Sequence, residues 1–174
     1  MTPSAPTAGE LIGTCRRSAI HLETRDVYSV DDELEEFEAW RSGARIDWDD
    51  RESWWNPFHQ AVEDATKRGV DVLRARIVSL PPTDYIRYEH DYTRANVLSG
   101  EQVRWLPRDR ATDIALPGND FWLFDDKVLR VAHFSGDGHF LRGEITEHPD
   151  LVRLCASAFD TVWSRATDHE AFRL

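Results

Sequence analysis

The stretch NPFHQAVEDATKRGVDVLRARIVS, residues 56–79, constrains the fold most, because it joins a helix to a strand through a short stop. Asn56 can cap the helix, Pro57 suits its first position, and Gly69 ends it. Residues 70–79 then supply apolar, largely β-branched side chains in imperfect alternation, which predicts a strand. A helix followed at once by a β-branched strand is typical of a layered α/β domain.

The remaining secondary structure follows from capping, periodicity and turn signals. We predict helices over residues 31–41, 84–98 and 149–166, and strands over residues 121–124, 127–134 and 140–145. Short turns separate these three strands, which indicates an antiparallel meander. The predicted fold class is α/β, or α+β, with a central mixed sheet flanked by helices. We expect a single domain over residues 19–174 and a loose N-terminal tail over residues 1–18.

The charge balance limits the partners of this chain. Its 174 residues include 21 Lys and Arg against 32 Asp and Glu, a formal net charge of −11. Nucleic-acid phosphates and anionic membrane surfaces are bound through Lys and Arg, so we expect no direct nucleic-acid partner and no membrane docking. Cys15 and Cys155 are too few for a disulfide framework, and the N-terminus does not resemble a signal peptide. Both features favour a cytoplasmic location.

Five arginines concentrate in this acidic chain, namely Arg74, Arg76, Arg87, Arg104 and Arg108. Arg74 and Arg76 are two residues apart on a predicted strand, so both point to one face. Guanidinium groups that converge there would suit a carboxylate or phosphate ligand, because they bind such groups bidentately. The other interpretation is that the arginines pair with nearby acids as structural ion pairs.

Aromatic and polar residues near these arginines complete a predicted ligand pocket. The segment DYIRYEH, residues 84–90, opens a helix with tyrosines along one face. Asn119 and Asp120 lie at the end of an apolar strand, where α/β sheets often bind ligands. The candidate ligand-binding residues are Arg74, Arg76, Tyr85, Arg87, Arg104, Trp105, Asn119, Asp120 and Trp122.

Signatures of catalysis are scarce in this chain, which has no GxGxxG, GxxxxGK[ST], GxSxG or HExxH. If it is an enzyme, Glu89, His90 and Asp120 are the candidates for acid–base catalysis. Neighbouring residues project about 100° apart on a helix, so Glu89 and His90 do not share one task. The segment HFSGDGH, residues 133–139, holds two histidines and an aspartate, but its composition is that of an ordinary turn. We expect no metal and no cofactor.

Five segments carry a resemblance to a known family. They are HLETRDVYS at 21–29, RARIVSLPPTDYIRYEH at 74–90, VRWLPR at 103–108, ALPGNDFWLFDDKVL at 115–129 and CASAFDTVWSRA at 155–166. They look like an actinobacterial family of uncharacterised domains with the signature LPGNDFWLFDD. Members of that family tend to accompany helix-turn-helix regulators, so the resemblance implies a regulatory or sensing setting.

The order of elements is also similar, more loosely, to the phospholipase D-like sheet architecture in its inactive, ligand-sensing versions. The active enzymes of that class need a His-x-Lys pair followed by Asp. None of the seven histidines here has Lys two residues further on. The resemblance therefore implies a fold without the phosphodiesterase chemistry.

These features favour a non-catalytic accessory or sensor domain in the cytoplasm that binds a small anionic ligand or a transcriptional regulator. The alternative is a small biosynthetic enzyme that applies carboxylate and histidine acid–base chemistry to a small polar substrate. A third hypothesis is a protein-binding module, because residues 31–52 contain ten acids against three arginines and would suit a basic partner. The sequence leaves the ligand, the partner and the oligomeric state open.

Overall fold

A computed structural model of the chain describes residues 5–29 and 31–174. Its α-helices are α1 (Ala8–Thr14), α2 (Asp31–Arg41), α3 (Pro57–Lys67), α4 (Asp84–Ser99) and α5 (Pro149–Arg165). Its strands are β1 (Ser18–Glu23), β2 (Asp71–Val78), β3 (Gln102–Pro107), β4 (Asp120–Phe124), β5 (Val128–Phe134), β6 (Phe140–Thr146) and β7 (Thr167–Asp168). Short 3-10 helices cover Arg51–Ser53 and Arg108–Ala111.

The described strands form one mixed sheet in the order β6-β5-β4-β1-β2-β3-β7. The three strands β1, β2 and β3 run parallel, whereas β4, β5, β6 and β7 pair with their neighbours in antiparallel fashion. Parallel neighbours need a crossover connection, and α3 and α4 supply it. The prediction of a single domain with a central mixed sheet, an antiparallel meander and flanking helices is confirmed.

One face of the sheet is apolar and packs against α5. That helix buries Val152, Cys155, Phe159 and Val162 along one stripe, as its periodicity predicts. Within the part of the chain that the structure describes, no helix combines the length and apolar character needed to cross a bilayer.

The opposite face of the sheet carries two separate apolar clusters. One joins the sheet to α1 and α3, and the other joins it to α4 and residues near the C-terminus. Along β2, Val72 belongs to the first cluster and Val78 to the second. Arg74 and Arg76 lie between them on the strand, so a polar region interrupts this face of the core.

Strands β1 and β3 were not predicted, although both lie in the middle of the sheet. Each alternates apolar residues with charged or polar ones, such as His21 and Glu23 on β1 and Arg104 on β3. A central parallel strand is normally a nearly continuous apolar run. The polar residues interrupt the apolar pattern, so pattern analysis misses both strands. In the folded protein these residues form ion pairs or line a cavity.

Helix α1 lies where the sequence analysis places a loose tail. The Thr7 hydroxyl accepts a hydrogen bond from the backbone N–H of Glu10, whose carboxylate accepts one from the backbone N–H of Thr7. Ile12 is fully buried against α3 and the sheet. Residues 8–14 are too short a stretch to reveal a helical period, and tertiary packing stabilises them as a helix. Residues 1–4 of the predicted tail lie outside the described residues.

We expect Ile12→Ala to lower the free energy of unfolding by about 2–4 kcal/mol, because it removes a buried side chain that joins α1 to the core. The matched control is Leu98→Ala on α4, where the leucine is 51% exposed and the cost should stay below about 1 kcal/mol. Urea unfolding followed by circular dichroism measures both. Equal costs would show that α1 contributes no packing energy.

Candidate ligand-binding cavity

Strand pairing brings polar and aromatic side chains into two adjacent rows on the interrupted face of the sheet. Residues two apart on a strand point to the same face, so each strand contributes one residue to each row. From β5 through β4 and β1 to β2, one row contains Arg130, Trp122, His21 and Arg74. The other row contains Ala132, Asp120, Glu23 and Arg76 in the same strand order.

A cavity of about 470 Å³ lies over these rows and is called the sheet cavity below. Its volume falls in the range of small-molecule sites, roughly 300–1,000 Å³. Its other walls come mainly from Phe58 and His59 of α3, from Tyr85, Tyr88, Glu89, Tyr92 and Asn96 of α4, and from Tyr28, Glu33, Phe134 and Phe140.

Glu23 joins the two arginines at the floor of the sheet cavity. Its Oε1 accepts a hydrogen bond from Nη1 of Arg74 at 3.0 Å, and its Oε2 accepts one from Nε of Arg76 at 2.5 Å. Arg74 also donates to Glu101 at 2.7 Å, and Nη2 of Arg76 lies 3.4 Å from a carboxylate oxygen of Glu89. Arg74 is therefore held by two carboxylates, and Arg76 by the carboxylate of Glu23 and the carboxyl group of Glu89.

The rest of this network leaves little donor capacity for a ligand. Nη1 of Arg76 donates to the Thr93 hydroxyl at 2.7 Å, and the Asn96 side chain donates to Glu101 at 2.7 Å. Arg74 is 8% exposed and Arg76 is 5% exposed. The interpretation as structural ion pairs describes these two arginines, although they do lie together in one cavity.

Two further carboxylates of the sheet cavity are held by hydroxyl groups. Asp120 accepts hydrogen bonds from the backbone and hydroxyl of Thr24 at 2.9 and 2.7 Å, and from the hydroxyl of Tyr28. Glu33 accepts one from the hydroxyl of Tyr85 at 2.8 Å. Burial raises the pKa of Asp120 and of Glu33, and the nearby carboxylate of Glu23 acts in the same direction.

Glu89 has a strongly raised pKa in the sheet cavity. Burial, together with the nearby charges of Glu23 and Glu33, raises its pKa to about 8, although Arg76 opposes the shift. Glu89 therefore carries a proton at neutral pH and can donate a hydrogen bond as well as accept one.

Two histidines of the cavity wall have unsatisfied ring nitrogens. His21 stacks on Trp122 with ring centroids 4.2 Å apart, and its Nδ1 has no hydrogen-bond partner among the described residues, with Glu23 3.8 Å away. Nδ1 of His59, a residue only 2% exposed, also lacks a partner there. Burial lowers the pKa of both imidazoles, so both are neutral at pH 7.

The sheet cavity contains five of the ligand-binding residues predicted from the sequence. They are Arg74, Arg76, Tyr85, Asp120 and Trp122. Two strands and the tyrosine face of α4 bring them together on the interrupted face of the sheet.

The other four predicted residues lie elsewhere. Arg87 and Asn119 are on the surface. Arg104 donates to Asp168 at 2.8 Å, because alternation along β3 turns it away from the cavity. Trp105 is fully buried and does not line the sheet cavity.

Of the three candidates for acid–base catalysis, two line the sheet cavity and one does not. Glu89 and Asp120 both line the sheet cavity. His90 faces another direction on α4, where its ring packs against Trp105 and His169 with centroids 5.3 and 4.7 Å away. The angle between neighbouring helical positions separates Glu89 from His90, as the sequence indicates.

Sequence reasoning missed several wall residues. His21 and Glu23 lie on the unpredicted strand β1, and Tyr28 and Glu33 come from the segment that follows it. The one available signal was the polar alternation of His21 and Glu23 within SAIHLE. His59 was missed because the capping residues and the apolar stripe of α3 account for that helix without assigning a role to the histidine.

His133 and Phe134 end β5, and residues 135–139 form the turn that their composition predicts. His133 lies 3.0 Å from a carboxylate oxygen of Glu144 on the neighbouring strand. His139 lies 3.7 Å from Asp137 within the turn. Across residues 5–29 and 31–174, no three potential ligand side chains are grouped as a metal site requires.

Comparison with known proteins identifies a family and a fold. A family model described as "Domain of unknown function (DUF6879)" matches residues 6–174. Nuc from Salmonella typhimurium, a phospholipase D family member, is 12% identical with a TM-score of 0.50, over 96% of this chain and 89% of that chain. NucT from Helicobacter pylori is 11% identical with a TM-score of 0.54, over 92% of this chain and 87% of that chain. No curated protein matches. At these identities the likeness shows the fold alone, which is phospholipase D-like.

We expect Glu23→Gln to lower the free energy of unfolding by about 3 kcal/mol, because it leaves the positive charges of Arg74 and Arg76 buried with less compensation. The control is Glu38→Gln, which breaks an exposed pair with Arg41 and should cost below about 1 kcal/mol. Urea titration of both variants gives the two values. Similar costs would contradict the role of Glu23.

A second prediction concerns Glu89 and pH. Its pKa rises from an ordinary value of 4.5 to about 8 on folding, so its stabilising contribution is complete below 4.5 and is lost as the pH rises towards 8. Between these values we expect the wild-type protein to lose up to about 1.4 kcal/mol per pH unit more than Glu89→Gln. Denaturant titrations across this window measure the slopes.

The control for that measurement is Glu35→Gln, at an exposed glutamate of α2. It should keep the slope of the wild-type protein. An unchanged slope in Glu89→Gln would mean that Glu89 is ionised in the folded state at neutral pH.

Proposed function

We propose that this chain, which belongs to the family described as Domain of unknown function (DUF6879), is a non-catalytic domain that binds a small molecule in the sheet cavity. The ligand carries a positively charged or hydrogen-bond-donating group next to an apolar ring or chain. This proposal keeps the binding role inferred from the sequence and changes the chemistry of the ligand.

The observation that carries the proposal is the charge of the cavity wall. Arg74 and Arg76 are already held by carboxylates, so their charge is not free for an anion. Arg130 also lines the cavity and has no carboxylate within 4 Å among the described residues, but it lies in the row of Trp122 and not in that of Asp120. Asp120 and Glu33 have no Lys, Arg or His nitrogen within 4 Å among the described residues. A cation or a donor would satisfy these acceptors, whereas an anion would meet uncompensated oxygen atoms.

The shape of the cavity favours a ligand with an apolar ring. Trp122 and His21 present a stacked pair on the floor, and Phe58 stands edge-on to Trp122 with centroids 6.1 Å apart. Tyr28 and Phe134, which also line the cavity, form another edge contact with ring centroids 5.3 Å apart. Rings of this kind contribute binding area and set the orientation of a ligand through stacking.

The resemblance found in the sequence supplies the setting for this proposal. If the chain works beside a helix-turn-helix regulator in an actinobacterial cytoplasm, ligand binding would make it a sensor domain. The regulator is then the protein partner, and the bound ligand alters their contact. The resemblance to inactive, ligand-sensing phospholipase D-like domains supports the same role.

A catalytic alternative rests on Glu89 and Asp120. Both line the sheet cavity, and burial raises the pKa of each, which is a property of acid–base catalysts. Such an enzyme would protonate or deprotonate a small polar substrate between these two carboxyl groups. Turnover that disappears in both Glu89→Gln and Asp120→Asn would favour the enzyme over the binding domain.

Three probes with the same ring test the charge preference of the sheet cavity. We expect benzylamine to raise the melting temperature most, benzyl alcohol less and benzoate least, because binding to the folded state stabilises it. Asp120→Asn should remove the advantage of benzylamine over benzyl alcohol. Asp109→Asn, at an exposed aspartate outside the cavity, is the control and should keep it. A larger shift with benzoate than with benzylamine would contradict the proposal.

A further inference from the structure

A second cavity, of about 650 Å³, lies between α2, residues 44–54 and α4. Aromatic side chains form much of its wall, namely Trp40, Trp48, Trp54, Tyr88 and Tyr92. Tyr88 and Tyr92 line both cavities and so separate this one, called the tryptophan cavity below, from the sheet cavity.

Three carboxylates stand among these rings, those of Glu36, Asp47 and Asp91. The indole N–H of Trp40 donates to Asp91 at 2.8 Å, and the hydroxyl of Tyr88 donates to Glu36 at 3.2 Å. The aromatic wall therefore orients two of the carboxylates. In the described part of the chain, no Lys, Arg or His nitrogen comes within 4 Å of any of the three.

The rings of this wall already attract cations. The guanidinium carbon of Arg45 lies 5.5 Å from the ring centroid of Trp40, and that of Arg94 lies 5.0 Å from that of Trp48. Both arginines are exposed, and Arg45 is part of the cavity wall. Three negative charges thus face one positive charge in the lining, beside ring faces whose quadrupoles favour cations.

Trp54 adds a polar group that lacks a partner. It is only 8% exposed, its ring stands edge-on to Trp48 at 5.5 Å, and its indole N–H makes no hydrogen bond among the described residues. A buried donor of this kind is usually satisfied. This nitrogen has almost no accessible surface, so Trp54 contributes its ring, and not a hydrogen bond, to the cavity wall.

We propose that the tryptophan cavity binds an alkylammonium group, with the rings around its methyl or methylene groups and the carboxylates compensating its charge. This site is separate from the sheet cavity, and its existence does not depend on the function proposed for that cavity.

Choline and its uncharged isostere 3,3-dimethyl-1-butanol test the proposal by calorimetric titration of the full chain. The two probes have the same shape and the same hydroxyl, so only the charge differs. We expect choline to bind at least about fivefold more tightly than the alcohol, because cation–π and carboxylate contacts need the charge. A third probe, the peptide acetyl-Gly-Lys-Gly amide, distinguishes a protein side chain from a free small molecule as the natural source. The tighter of the two ammonium probes identifies that source.

Three variants separate an ammonium site from an apolar pocket. Asp47→Asn should weaken choline binding about twofold to fivefold, and Arg45→Gln should strengthen it by a similar factor, because each changes the charge of the wall. Trp48→Leu should weaken it by about fivefold or more. Asp49→Asn is the control, since Asp49 is exposed on the same segment but lies outside the wall.

Circular dichroism spectra establish that each variant is folded. Opposite effects of Asp47→Asn and Arg45→Gln, with no change in Asp49→Asn, would support the site. Equal affinity for choline and the alcohol would overturn it. Binding of both ammonium probes weaker than about 10 mM would overturn it as well.

Discussion

One carboxylate, that of Glu23, holds two buried arginines of the neighbouring strand, and the arrangement of the sheet depends on it. Isolated charges in a protein interior are strongly unfavourable, so Arg74 and Arg76 require a partner at this position. The parallel register places Glu23 directly beside Arg76. A shift by one residue would turn Glu23 towards the apolar face under α5, so the ion pairs and the packing of α5 select the same register.

The same ion pairs determine the chemistry of the sheet cavity. Because Arg74 and Arg76 are satisfied within the protein, their donors are not available to a ligand, and Asp120 remains without a cation. Burial keeps His21 neutral and Glu89 protonated, so the wall offers neutral hydrogen-bonding groups as well as carboxylates. Two arginines that converge on one face of a strand therefore do not produce an anion site when carboxyl groups of the protein already bind both of them.

Fold and site carry different information about this protein. The likeness to phospholipase D-like structures, at 11–12% identity, shows the fold alone, and a fold does not by itself determine an activity. The two cavities are the candidate sites of function. They share the wall formed by Tyr88 and Tyr92 of α4, which means that the tyrosine face of one helix borders both candidate sites.

The sequence by itself determined the elements whose signals are local. Asn56 and Pro57 predict the start of α3, the 3.6-residue stripe predicts α5, and the tyrosine face of α4 predicts a wall, because each depends on residues within a few positions of one another. Only the tertiary structure decided that α1 packs into the core, that Arg104 turns away while Arg74 and Arg76 meet, and that Glu23 neutralises both. These outcomes depend on which strands are neighbours, on their register and on what becomes buried, and those are contacts between distant parts of the chain.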